Sequence, residues 1–161
     1  VPDQYRAENL MCYMGRGGTF TPGHVDPCGS IGHNIMVSGG PEARAQWYVV
    51  ARDDKQKAAA FWQQQSSGMH ALDLDNYYMP VDRLREAPFP VYHIEQRVGD
   101  LIVIPSDAAH QVMNEGDWSI KVAWSRSTVA SLDYCIRHVL PVYRSLLKPE
   151  VYRVKTMVEY A

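Results

Sequence analysis

Residues 99–112 read GDLIVIPSDAAHQV: a glycine turn, a short apolar run, a proline-led turn and then a histidine. Leu101–Ile104 is predicted to be a strand because it is a β-prone apolar run bounded by turn residues. In a β-sandwich, the turn after such a strand brings a late residue, here His110, back beside an early strand. This stretch therefore favours a β-sandwich or barrel.

Similar short strands are predicted on either side of this stretch. Each is a β-prone run with a turn rich in glycine, proline or asparagine on at least one side. The predicted strands are Asn9–Met14, Ile31–Val37, Gln46–Ala51, Val91–Gln96 and Ser119–Ser125. Many short strands with such turns predict an all-β core.

Helices are predicted within and after this core. Asp53–Gln65 contains neither glycine nor proline and is rich in Ala and Gln, which predicts a helix that ends at the Ser-Ser-Gly turn over 66–68. Pro80–Ala87 predicts a second, short helix. Beyond residue 131 apolar residues recur at helical spacing. Pro141 is expected to kink or end the first C-terminal helix, and Glu150–Ala161 to form the last.

Composition limits the classes of protein to which this chain can belong. Its 161 residues fit one domain, and 16 Lys and Arg against 18 Asp and Glu give a formal net charge of −2. This near-neutral balance argues against direct nucleic-acid binding. No apolar run is long enough to span a bilayer, so no membrane partner is predicted. The three cysteines have no CxxC spacing, which indicates free thiols.

A metal site is predicted from three residues. His24 and Asp26 are two positions apart, so on an extended strand their side chains point to the same face. His110 follows the strand and turn described above. Two histidines and one carboxylate leave open coordination positions, the arrangement that non-haem Fe(II) oxygenases use to bind co-substrate and O₂. A structural zinc site would prefer four protein ligands.

Four segments carry a resemblance to a known family. They read YMGRGGTFTPGHVD (13–26), SIGHNIMVSGGPEARAQWYVV (30–50), PFPVYHIEQRVGDLIVIPSDAAHQV (88–112) and IKVAW (120–124). In order and spacing they resemble the JmjC domain of Fe(II)- and 2-oxoglutarate-dependent oxygenases, and most of all the UTX-type histone lysine demethylases. The resemblance implies a double-stranded β-helix, a cupin-like jelly roll, over about 9–125. One inserted helix and a helical C-terminal cap over about 131–161 complete a single JmjC domain over residues 1–161.

The resemblance also implies roles for individual residues. His24, Asp26 and His110 match the iron ligands, although the UTX type has Glu where this chain has Asp26. The residues that match the 2-oxoglutarate contacts are Tyr13, Thr21 and Asn34. Each can donate a hydrogen bond, as a carboxylate ligand requires.

The chain departs from the family at the basic residue for the distal carboxylate of 2-oxoglutarate. Gly15 stands where the UTX type has its lysine, and Ala45 where other JmjC members have theirs. Arg16, in the next turn, and Lys121, on a late strand, are the replacements considered. Lys121 is preferred because a strand directs a side chain better than a glycine-rich loop does. A serine of the UTX type is also lost, at Gly32.

The implied activity is hydroxylation of an N-methyl group of lysine in a histone tail, after which the hemiaminal releases formaldehyde. The co-substrates would be 2-oxoglutarate and O₂, the metal Fe(II), and the location nuclear. Two alternatives remain open at this point. One is stable hydroxylation of a protein side chain. The other is a catalytically impaired JmjC domain that serves as a chromatin-interaction module, an interpretation motivated by the missing lysine.

Overall fold

The computed structural model describes residues 1–66, 68 and 70–160. In this part of the chain eight strands are present: β1 (Leu10–Gly15), β2 (Phe20–Val25), β3 (Ile31–Gly39), β4 (Arg44–Val50), β5 (Tyr92–Arg97), β6 (Leu101–Ile104), β7 (Ala109–Glu115) and β8 (Ser119–Arg126). They form two four-stranded antiparallel sheets, ordered β1-β8-β3-β6 and β2-β7-β4-β5. The predicted all-β core is confirmed.

The inner faces of the two sheets enclose an apolar core. Successive side chains of a strand point to opposite faces, and in β4, β6 and β8 alternate residues are accordingly buried. The first sheet contributes Met36, Ile102 and Ile104, and the second contributes Trp47 and Val112, among others. Along β8 the same alternation buries polar residues, namely Ser119, Lys121 and Ser125. The buried face of β8 is therefore mostly polar.

The six predicted strands agree with the structure to within two residues at each end, but β2 and β7 were not delimited from sequence. β2 contains Pro22 and Gly23, which normally argue against a strand. It tolerates them because it lies at the edge of its sheet, with a register shift between Thr21 and His24. β7 shows no alternation because its first four residues, 109–112, are all buried.

Helices lie between β4 and β5 and after β8. The first pair is α1 (Lys55–Ser66), preceded by a 3₁₀ turn, and α2 (Val81–Leu84), and the last three are α3 (Val129–Tyr134), α4 (Leu140–Leu146) and α5 (Val154–Glu159). α1 agrees with the prediction at its end, although residue 67 of the predicted turn lies outside the described residues. None of the described helices is both long and apolar enough to cross a bilayer.

The predicted bounds of three other helical segments need correction. α2 is half the predicted length, because turns replace the helix after Leu84. Pro141 does not end its helix: it lies in the first turn of α4, and a π-helical turn before it keeps the chain helical. The last helix begins only after Arg153, which adopts a left-handed conformation with φ 50°; residue 161 of that prediction lies outside the described residues.

Candidate metal centre

Two neighbouring strands bring the predicted metal ligands together. His24 on β2 and His110 on β7 are Cα partners in the antiparallel ladder, and Asp26 follows directly after β2. The pairing register shifts just before His24, and irregularities of this kind, such as β-bulges, re-aim side chains near the ends of strands. One ligand atom from each of the three residues lies within 4.8 Å of the others.

Backbone carbonyls orient both imidazole rings. Nδ1 of His24 lies 2.9 Å from the carbonyl oxygen of Pro22, and Nδ1 of His110 lies 3.1 Å from that of Ala108. A carbonyl can only accept, so Nδ1 carries the proton in each ring. Each Nε2 then keeps its lone pair for a metal, and the carbonyl holds the ring in place.

The protonation states also suit a metal. Burial lowers the pKa of His110 to about 4, and burial together with the neighbouring His110 lowers the pKa of His24 to about 4. Both rings are therefore uncharged at neutral pH, as ligation requires. Burial raises the pKa of Asp26, whose Oδ1 lies 3.9 Å from Nε2 of the uncharged His110. A divalent cation between them would favour the ionised carboxylate.

The donor set fits Fe(II). It combines two neutral imidazole nitrogens with one hard carboxylate oxygen, which is the ligand set of non-haem iron centres of the two-histidine, one-carboxylate type. The described residues offer no fourth His, Cys, Asp or Glu to this group, so the open positions would be left for other ligands.

Gly32 has a steric role beside Asp26. A Cβ atom at position 32 would overlap Oδ2 of the Asp26 carboxylate. The serine that the resemblance leads one to expect at this position therefore cannot coexist with Asp26 in its present conformation.

An ion pair buried behind the site supports the loop that carries the His110 carbonyl partner. Asp107 is fully buried, has φ 61°, and accepts hydrogen bonds from Lys55 Nζ at 2.5 Å and from the Tyr134 hydroxyl at 2.8 Å. These contacts join α1 and α3 to the residue just before Ala108. Sequence reasoning missed this network because its members are far apart in the chain.

A cavity between the sheets contains the metal ligands and most of the predicted co-substrate residues. Tyr13, Thr21, Asn34 and Lys121 all line it. Arg16 does not: it lies exposed in the turn between β1 and β2. Of the two basic residues considered for the distal carboxylate, the structure thus brings only Lys121 to the cavity.

Lys121 is a buried cation with no anionic partner. Its exposed fraction is 6%, and burial lowers its pKa to about 8. The ammonium group donates to Oδ1 of Asn114, and no carboxylate of the described residues lies within 4.0 Å of it. Because a buried unpaired charge is unfavourable, a carboxylate ligand would gain strongly from binding here.

Asn34 is oriented by a glutamine that sequence reasoning missed. Gln96 is fully buried, accepts a hydrogen bond from Trp47 Nε1 at 2.9 Å and donates to Oδ1 of Asn34 at 3.2 Å. With Oδ1 engaged in this way, the amide NH₂ of Asn34 remains to donate to a ligand. A glutamine at the end of a predicted strand gives no sequence signal for such a role.

The fold and this cavity define a class of protein. A family model described as "JmjC domain, hydroxylase" matches residues 11–125. The chain belongs to the JmjC family, as its sequence resemblance predicted.

Two curated proteins are similar to the chain. It is 40% identical over 161 residues to C-module-binding factor A of Dictyostelium discoideum, covering 99% of this chain and 16% of that protein. It is 29% identical over 127 residues to Lysine-specific demethylase 6B of Homo sapiens, covering 78% of this chain and 7% of that protein. The chain thus spans only a small part of either relative.

Proposed function

We propose that this domain is an Fe(II)- and 2-oxoglutarate-dependent oxygenase. One observation carries the proposal: a single cavity contains three residues that could hold a metal ion, His24, Asp26 and His110, and a buried lysine without an anionic partner among the described residues, Lys121. A ligand with a metal-chelating end and a distal carboxylate satisfies both. 2-Oxoglutarate has this form.

The residues of the chain bind and orient the reactants. His24 and His110 would donate nitrogen lone pairs to iron, and Asp26 would supply a negative charge. Lys121 would bind the distal carboxylate through a charge-assisted hydrogen bond, with Thr21 as a further donor at the cavity wall. When bound, iron with 2-oxoglutarate and O₂ would supply the oxidation, which yields succinate and CO₂ and places one oxygen atom on a substrate C–H bond.

The cavity wall would keep water from the reactants. Trp47, Ile104, Val112 and Ala123 line the same cavity and are all buried. In such surroundings the attraction between an ammonium group and a carboxylate is stronger than in water. The protein would then position the reactants and exclude water, while the metal would supply the redox chemistry.

The proposed substrate is an N-methyl-lysine side chain in a histone tail. Hydroxylation of the methyl carbon gives a hemiaminal, which breaks to formaldehyde and the demethylated amine. The support is the resemblance to the UTX type and the similarity to a protein named Lysine-specific demethylase 6B. A nuclear location and a histone or other protein partner belong to the same proposal.

The test is turnover of the iron-loaded domain with methylated histone peptides. We expect succinate formation coupled to loss of the mass of a methyl group from the peptide, and neither product from the His24→Ala variant. Gain of the mass of one oxygen atom instead would establish the protein side-chain hydroxylase alternative. Succinate formation by His24→Ala equal to that of the native domain would refute the proposed metal centre.

A second candidate function is a catalytically impaired interaction module. The observation in its favour is the 40% identity to a protein named as a binding factor. The unpaired Lys121 in the cavity argues for the enzyme, because an interaction module has no need of a buried cation. Calorimetry with the metal-loaded domain separates the two: a Kd for 2-oxoglutarate below about 0.1 mM, near −5.5 kcal/mol, supports the oxygenase.

A further inference from the structure

The Lys121 ammonium group makes a side-chain hydrogen bond to one residue of the described part of the chain. Lys121 lies on the inner face of β8, and its ammonium group donates to Oδ1 of Asn114, at the end of β7. None of the other side-chain hydrogen bonds among the described residues involves the Lys121 amine. The position of the buried charge therefore depends on the orientation of one amide.

The Asn114 amide can adopt only one of its two orientations. Its Nδ2 donates to Oγ1 of Thr19 at 3.0 Å, and Thr19 Oγ1 in turn donates to the carbonyl of Arg16 at 2.6 Å. A flipped amide would direct NH₂ at the Lys121 ammonium, placing two donors face to face. The hydroxyl of Thr19 thus selects the orientation in which Oδ1 faces Lys121.

The backbone around Asn114 is equally constrained. Its N–H donates to the Thr19 carbonyl at 2.8 Å, and its own carbonyl accepts from the Gly18 N–H at 2.9 Å. These two bonds tie the end of β7 to the turn between β1 and β2. These backbone bonds consequently fix the position from which the Asn114 side chain contacts Lys121.

Gly15 provides the space that the Asn114 side chain occupies. A Cβ atom at position 15 would lie 2.7 Å from Nδ2 and 3.0 Å from Cγ of Asn114. Any residue other than glycine at position 15 would therefore displace the Asn114 amide. Gly15, Thr19 and Asn114 together form one support for the lysine, which we call the Lys121 support.

We propose that Asn114 is a positioning residue that holds Lys121 ready for the distal carboxylate of the co-substrate, with Gly15 providing room for it. This inference rests on the proposed 2-oxoglutarate site. It requires the side chain beside Lys121 to be an uncharged hydrogen-bond acceptor. An apolar residue would leave the ammonium group without an acceptor, whereas a carboxylate would pair with it and repel the carboxylate of the ligand.

The experiment is calorimetric titration of the Mn(II)-loaded domain, without O₂, with two probes. 2-Oxoglutarate has the distal carboxylate, and 2-oxobutyrate lacks it. N114A is expected to weaken 2-oxoglutarate binding about tenfold, the effect of losing one hydrogen bond to a charged group. Binding of 2-oxobutyrate should be unchanged. E115Q is the matched control, since the neighbouring Glu115 carboxylate accepts from Arg44 at 2.8 Å and does not line the cavity.

N114D separates positioning from a merely structural role. We expect it to weaken 2-oxoglutarate binding at least as much as N114A does, while its melting temperature stays at or above that of the native domain because a partly buried ion pair with Lys121 forms. A structural role alone predicts the reverse, namely native affinity with a changed melting temperature. Measurements on N114D also keep the proposal testable if N114A does not fold.

G15A tests the steric part of the Lys121 support. It should weaken 2-oxoglutarate binding several-fold in the native background and have no further effect in the N114A background, since the displaced amide is then absent. Native affinity of G15A, N114A and N114D, together with loss of binding in K121A, would overturn this inference alone. Native affinity of K121A would instead overturn the proposed role of Lys121, and no binding by the native domain would overturn the proposed function.

Discussion

The two ends of the cavity are built in different ways. At the metal end, the two histidines lie on two hydrogen-bonded strands, Asp26 directly follows one of them, and separate backbone carbonyls orient the two imidazole rings. At the distal end, one lysine is held by one amide, which depends on a threonine and a glycine of other segments. The metal end is therefore strongly constrained by its own strands, and the distal end depends on contacts across the fold.

The largest expected effect is at the metal end. His24→Ala removes one of three ligands and should lower Mn(II) or Fe(II) affinity by more than about 100-fold, beyond the range found for residues that only support ligands. Isothermal calorimetry of the metal-free domain measures this change. His93→Ala, on the exposed strand β5, is the matched control and should bind metal as the native domain does.

The next effect should appear only at the distal end. Lys121→Met keeps most of the side-chain volume but removes the charge, and should weaken 2-oxoglutarate binding by up to about 100-fold. Metal affinity should not change, because Lys121 is not among the ligands. Loss of metal binding in this variant would show that metal affinity depends on Lys121, and that the two ends of the cavity do not bind independently.

This contrast explains how much could be predicted from the sequence. The pair His24 and Asp26 is visible because strand geometry places residues i and i+2 on one face. Lys121 could be predicted only as one of two replacements for the missing family lysine, preferred to Arg16 because it lies on a strand, and Asn114 could not be predicted at all. Its role arises from the pairing of β7 with the β1–β2 turn, which no local pattern encodes.

The fold shows the same division. Strands with a clear alternation, such as β8, agree with the prediction, because one face is buried and the other is only partly buried. β2 and β7 were not delimited, although they carry the histidine ligands. The sequence of β2 departs from the usual strand pattern where its pairing register shifts beside the site. The sequence of β7 departs from it because successive residues are buried on both faces of the strand. Departures of this kind are expected at functional sites.

A smaller effect is expected from Gly32→Ala. The added Cβ atom would overlap Oδ2 of Asp26 and force the carboxylate to rotate. Metal affinity should fall about tenfold, as for other changes that misorient a ligand. Gly68→Ala, where an added Cβ atom has its nearest neighbour at 3.8 Å, serves as the control for the substitution itself. Native metal affinity of the Gly32 variant would contradict the steric role of this position.

The smallest effect is a pH dependence confined to the distal end. Lys121 binds a carboxylate only when protonated, and its lowered pKa of about 8 means that the charge is lost as the pH rises through that value. Between pH 7 and 8.5 the affinity for 2-oxoglutarate should fall about fourfold, the ratio of the protonated fractions of the lysine. Calorimetry with 2-oxobutyrate over the same range should show no such decrease, because this probe has no distal carboxylate.

Both ends of the cavity are proposed to bind the same ligand, 2-oxoglutarate. The most direct test of this proposal is titration of 2-oxoglutarate into the native domain with and without Mn(II), and into Lys121→Met with Mn(II), all without O₂. The account predicts a Kd below about 0.1 mM for the metal-loaded native domain and much weaker binding in the other two samples. Equal affinity in all three samples, or no binding in any of them, would contradict it.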